Sequence, residues 1–109
     1  MSNLTDGLNA FHDRDYELAM ALLMPMAEEG NSEAQCVVAN MYHLGLGVEV
    51  NIDTAIEWYR KSSEQGYGVA SNNLGSIFLV GEHGGSPDRE EAKKWYQKAR
   101  DQGFDVYSG

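Results

Sequence analysis

The chain has 109 residues, a net charge of −9 and a single cysteine, Cys36. That length sets one domain with a modest core, and one thiol closes no internal disulfide. An acidic chain without a basic patch is a poor match for nucleic-acid phosphates or anionic membrane surfaces.

The most apolar run, Leu18 to Ala27, is too short to cross a bilayer and is broken by Pro25. The opening residues MSNLTDGLNA lack a basic stretch followed by an apolar block. With the lone thiol, this sets the expectation of a cytoplasmic protein. Eight acids and one base fall in residues 1–50, so any charged partner of the N-terminal half is expected to be basic.

In chain order, six helices are predicted. The first covers 3–13, with Leu4, Leu8 and Phe11 on one face, Asn3 as its cap and Asp6 at the capping-box position. The second, 15–29, starts at Asp15 and stops at Gly30. The third, 32–44, carries Ala34, Val37, Val38, Met41 and Tyr42 at helical spacing. The fourth, 52–65, starts at Asn51 and stops at Gly66. The fifth, 69–80, repeats the stripe of the third as Ala70, Asn73, Leu74, Ile77 and Phe78. The sixth, 88–102, starts at Asp88, with Glu91 in capping-box register, and stops at Gly103.

The chain repeats itself. AIEWYRKSSEQG at 55–66 returns as AKKWYQKARDQG at 92–103, and Ala19, Ala55 and Ala92 hold one position in three copies. Odd and even helices therefore alternate as helix A and helix B of three antiparallel pairs. One pair cannot bury its stripe alone, and about three stacked pairs are needed for stability. In the box, Ala55 and Tyr59 point inward, Trp58 fills the space between units, and Glu57 with Lys61 forms an exposed i, i+4 pair.

These residues resemble the Sel1-like repeats, longer-looped relatives of the tetratricopeptide repeats. The marks are Ala34-Gln35, the loop MYHLGLGV at 41–48, the AIEWYRK box and the closing Glu-Gln-Gly; the third copy keeps Leu74-Gly75 and Phe78. The first copy, FHDRDYELAMALLMPMAEEG, is similar to the tetratricopeptide-like unit that often precedes such arrays. The resemblance implies one all-α domain, a right-handed α-solenoid, divided at 1–31, 32–67 and 68–104 with a tail at 105–109. It also implies a non-enzymatic scaffold that binds a protein or peptide. Val37 stands where the family favours Asn, Ala39 where it favours Gly, and Glu49 where it favours Pro. The cysteine pairs of the secreted relatives are absent.

No catalytic signature is present. His12, His43 and His83 are isolated, no glycine-flanked serine elbow or phosphate-binding loop occurs, and the nearest approach to Ser-x-x-Lys is Ser86 with Arg89. No enzyme activity, cofactor or metal is expected. His12 and His43, near the ends of adjacent A helices, are at most two ligands of a weak metal site.

The surface left on the A helices is the candidate partner site: Glu33, Cys36, Asn40 and His43 in one copy, Val69, Asn72, Ser76 and Leu79 in the next, all related by 36 positions. Cys36 is placed on the polar side of its helix and is expected to be accessible. Solenoid curvature implies that this face is concave. Asn73, at its edge, matches a family position that hydrogen-bonds an extended peptide backbone. Lys and Arg are missing from the face, which disfavours capture of a C-terminal carboxylate. No nucleic acid and no membrane insertion is expected. The alternative is a structural module that self-assembles as a homodimer through its ends. For the tail, Phe104, Val106 and Tyr107 are expected to fold back over the third pair.

Overall fold

The computed structural model describes residues 3–104. They form α1 (Asn3–His12), α2 (Tyr16–Glu28), α3 (Ser32–Leu44), α4 (Ile52–Glu64), α5 (Gly68–Val80) and α6 (Arg89–Asp101), with no strand among the described residues. Consecutive helices pack on one another, and each B helix packs on the next A helix. The architecture is an all-α solenoid of three helix pairs.

Local chemistry sets the boundaries. Asp15, Asn51 and Asp88 cap α2, α4 and α6, each side-chain oxygen accepting the backbone N–H three residues on. These bonds satisfy amides that the first helical turn leaves without a partner. Asn31 does the same for α3, through Ala34 N–H at 2.9 Å, a cap absent from the predicted set. Asn3 is itself the first residue of α1 rather than its cap.

Each B helix ends in the same way. Gly30, Gly66 and Gly103 have φ of 102°, 94° and 94°. Beyond them, the N–H groups of Asn31, Tyr67 and Phe104 reach back to the carbonyls of Met26, Ser62 and Ala99. This is the Schellman stop, which needs a left-handed residue and so favours glycine.

The end of α1 follows the same pattern with a non-glycine residue. Asp15 N–H bonds Ala10 O at 2.8 Å, and the left-handed position is Arg14, φ 65°. A β-carbon there costs about 1 kcal/mol. Arg14→Gly is therefore expected to raise unfolding stability by about 1 kcal/mol, while Gly66→Ala lowers it by a similar amount. Urea titration followed by circular dichroism checks both.

The core has two parts. Ala19, Leu23, Ala34, Val38 and Met41 belong to one, and Ala55, Tyr59, Ala70, Leu74, Ile77 and Ala92 to the other. Tyr42 and Trp58 pack against both, so the core runs continuously from unit to unit and Trp58 fills the predicted gap. Lys61 does not pair with Glu57. Its ammonium lies 4.8 Å from the centre of the Trp58 ring, and no ion pair joins the two residues. The aromatic face competes well with a solvated carboxylate.

Polar side chains tie the units at their other end. Gln65 donates to Gln35 at 2.7 Å, and Gln35 donates to Ala27 O of the preceding unit at 3.0 Å. One unit on, Gln102 accepts from Ser71 and donates to Ser63 O, while Ser71 and Ser63 share a bond of 2.6 Å. Gln102 is thus a direct tie between units, and Gln65 holds the Gln35 side chain that makes the equivalent tie one unit earlier. Phe104 covers Gly68, where an added β-carbon would stand 2.8 Å from the Phe104 β-carbon. Val106 and Tyr107 lie outside the described residues.

The candidate helix A face

Asn40 is the centre of the face. Its Oδ1 accepts from the Tyr59 hydroxyl at 2.5 Å and from Asn73 Nδ2 at 3.3 Å. On the other side of Tyr59, His43 Nδ1 lies 3.2 Å from the phenolic oxygen, and His43 Nε2 lies 3.1 Å from Glu82 Oε1. The chain Asn73–Asn40–Tyr59–His43–Glu82 joins α3, α4, α5 and the loop after α5.

Why these groups meet follows from the box. Tyr59 is 1% exposed, and a buried phenol needs a partner for its hydroxyl. It reaches through to the helix A surface and finds Asn40. One unit on, the equivalent Tyr96 lies 3.1 Å from Ser76, the equivalent of Asn40. The box tyrosine therefore anchors the same helix A position in both units. Burial pushes the Tyr59 pKa well above the ordinary phenol range, so the hydroxyl stays a donor at all physiological pH.

The predicted residues divide into three groups. Asn40, His43, Asn73 and Ser76 are half-buried and hydrogen-bonded as described, and Asn72 and Glu33 are half-buried. Val69 and Leu79 are exposed. Cys36 corrects the expectation: it is 2% exposed and belongs to the core with Ala39, Ala70 and Leu74. Helix α3 is covered on more than the single stripe counted from its period, because the following unit closes over its Cys36 side. Desolvation, with Glu33 adding to it, pushes the thiol pKa up to about 12. Accessibility and reactivity are both removed from that position.

His12 and His43 do not form a pair. His43 is engaged by Tyr59 and Glu82, and His12 stands exposed with its ring edge-on to Phe11. Among the described residues, no three His, Cys, Asp or Glu side chains converge as a metal site would require. Tyr59, Tyr96 and Glu82 were missing from the sequence-derived set. The signal for the tyrosines was present: the box holds Tyr rather than Phe in both copies, at a position that points inward.

The Sel1 repeat model matches residues 4–31, 32–67 and 68–104, including the first copy. The chain belongs to the Sel1 repeat family. Among solved structures, it is similar to a Sel1 repeat protein from Oxalobacter formigenes, with 39% identity and a TM-score of 0.80. That match covers 91% of this chain and 40% of the other. It is also similar to c5321, a protective antigen present in uropathogenic Escherichia coli strains and displaying an SLR fold. There the identity is 32% and the TM-score 0.86, over 94% of this chain and 23% of the other. The chain thus spans less than half the length of either relative. A comparison with curated proteins finds no match. Sel1 repeats are generally protein-interaction modules and non-catalytic scaffolds. No described helix is long and apolar enough to cross a membrane.

Proposed function

We propose that this Sel1 repeat chain is a non-enzymatic, cytoplasmic adaptor that binds a protein segment on the helix A face of α3 and α5. The observation that carries this is the amide cluster of Asn40 and Asn73, held in place from below by Tyr59. An amide fixed by one buried bond keeps its remaining donors and acceptors oriented outward. An extended peptide backbone presents the complementary groups. Asn72 and Ser76 continue the polar row, and exposed Val69 and Leu79 flank it with apolar contacts for side chains of the segment.

The face offers no cations and one acid, Glu33, with Glu82 at its end. It therefore suits a neutral or basic segment better than an acidic one. Peptide backbone recognition by fixed amides costs little reorganisation, so truncating them should matter. With a partner in hand, Asn72→Ala combined with Asn73→Ala is expected to weaken binding at least about tenfold, with Glu57→Ala as an unaffected control on helix B. Isothermal titration calorimetry makes the comparison, and unchanged affinity in the double variant sinks the assignment.

A further inference from the structure

The B helices use one row of side chains to hold the next unit. In α2 the row is Tyr16, Met20, Leu23 and Ala27; in α4 it is Ile52, Ile56, Tyr59 and Ser63, spaced i, i+4, i+7, i+11 along one face. Its direction is fixed by contacts. Tyr16 lies against Gly47 of the next unit, where an added β-carbon would be 2.7 Å away. Ser63 bonds Ser71 of α5, and Ile52 and Ile56 pack against the cluster to which α5 contributes Leu74 and Ile77.

In α6 the same row reads Arg89, Lys93, Tyr96 and Arg100. Two isoleucines and a serine have become three exposed cations, and the tyrosine is half-buried where Tyr59 is covered. Beside them, Leu79, 41% exposed, and Ala92 form the apolar floor of a groove whose one carboxylate is Glu90.

At the other end the sign is reversed. The A helices face the preceding unit through Gln35 and Ser71, which bond its carbonyl and hydroxyl groups, and through Val38 and Leu74, which are fully buried. Counted back from the end of α1, Val38 and Leu74 correspond to Asp6. Asn9 and Asp13 continue along that side, all three exposed. Asp15 and the apolar Leu18 and Leu22 complete a second groove, and Leu18 is 47% exposed.

We propose that the chain self-associates head to tail, the α1–α2 face of one copy seating on the α5–α6 face of another in the register used inside the array. In that register Arg89, at the start of α6, comes opposite Asp13, at the end of α1. Lys93 and Tyr96 come opposite the Asp6–Asn9 turn. Polar ends alone would keep a solenoid soluble. Opposite charges at the positions that make the internal contacts go further, because they match one end to the other and repel like ends. The contact joins two different surfaces, so it continues into longer assemblies rather than closing as a two-fold dimer.

Sedimentation velocity on the whole chain tests this, at about 10 to 300 μM protein in roughly 20 mM and 500 mM NaCl. The expected result is a mass that grows with concentration in low salt and returns to the 12.1 kDa monomer in high salt. Arg89→Glu with Lys93→Glu is expected to weaken association at least about tenfold, and Asp6→Lys with Asp13→Lys to do the same. Mixing the two double variants restores association, because each then presents the end that the other lacks. Circular dichroism confirms that both remain helical; if a double variant unfolds, the single changes Lys93→Glu and Asp6→Lys replace it. A wild-type chain that stays monomeric throughout overturns the proposal. So does association that survives both reversals, or binding of an acidic peptide to the α5–α6 face without self-association.

Discussion

At pH 8, Cys36 in the folded chain is expected to react with an aromatic disulfide reagent about a thousandfold more slowly than in the unfolded chain. The thiolate is the reacting species, and a pKa pushed up to about 12 leaves only a small fraction of it at that pH. Burial at 2% exposure adds a steric barrier, so the residual reaction runs through opening of the α3–α5 contact. The same pKa has a consequence for stability. The folded state binds the thiol proton more tightly than the unfolded state does. That contribution is complete below the ordinary cysteine range and is lost as pH rises through about 12. Stability should therefore fall across this alkaline window, and Cys36→Ala should flatten part of the fall. Absorbance of the released thiolate measures the first effect and urea midpoints at stepped pH the second. Reaction of the native chain within mixing time would contradict both.

Leu74→Ala is expected to destabilise the chain by about 3 kcal/mol, the usual range for truncating a fully buried leucine. Leu74 is wholly buried in the cluster that joins α3, α4, α5 and α6. The truncation therefore damages the contact between units as well as the interior of one pair. In a solenoid the contacts between units carry much of the stability, and three pairs are close to the minimum. The loss should appear as one cooperative transition lowered by roughly 15 °C, without separate melting of the third pair. Val80→Ala, at an exposed position on the same helix, should stay within about 0.5 kcal/mol of wild type. A comparable effect of the two substitutions would show that α5 does not hold the array together.

Much of the fold was legible because it is written in local chemistry. Caps at Asp15, Asn51 and Asp88 and stops at Gly30, Gly66 and Gly103 depend on a few adjacent residues, and each formed as expected. The period of the stripes and the repeat of the Trp-Tyr box then fixed the pairing. What escaped depends on contacts between units. Cys36 was placed on a free side of α3 because one helix shows one stripe, whereas a solenoid helix is packed by its partner, the preceding B helix and the following unit. Arg14 carries no sign of its left-handed backbone, since aspartates flank it and no glycine marks the turn. Tyr59 announced its burial through spacing, but that its hydroxyl reaches Asn40 from a neighbouring helix is not encoded in either segment alone.

The box and the face are therefore connected. The tyrosine of the repeated scaffold anchors the variable helix A residue above it, Asn40 in one unit and Ser76 in the next. The helix A residues at this position differ from unit to unit while their support stays constant, which lets one fold present different surfaces.

Amide chemical-shift mapping of the labelled chain during titration with a captured partner segment tests the central claim most directly. The expected result is perturbation concentrated at Asn40, Asn72, Asn73 and Ser76, with the outer faces of α2, α4 and α6 unmoved. Perturbation centred on Glu57, Lys61 and Gln97, with the amide cluster unchanged, would contradict the account.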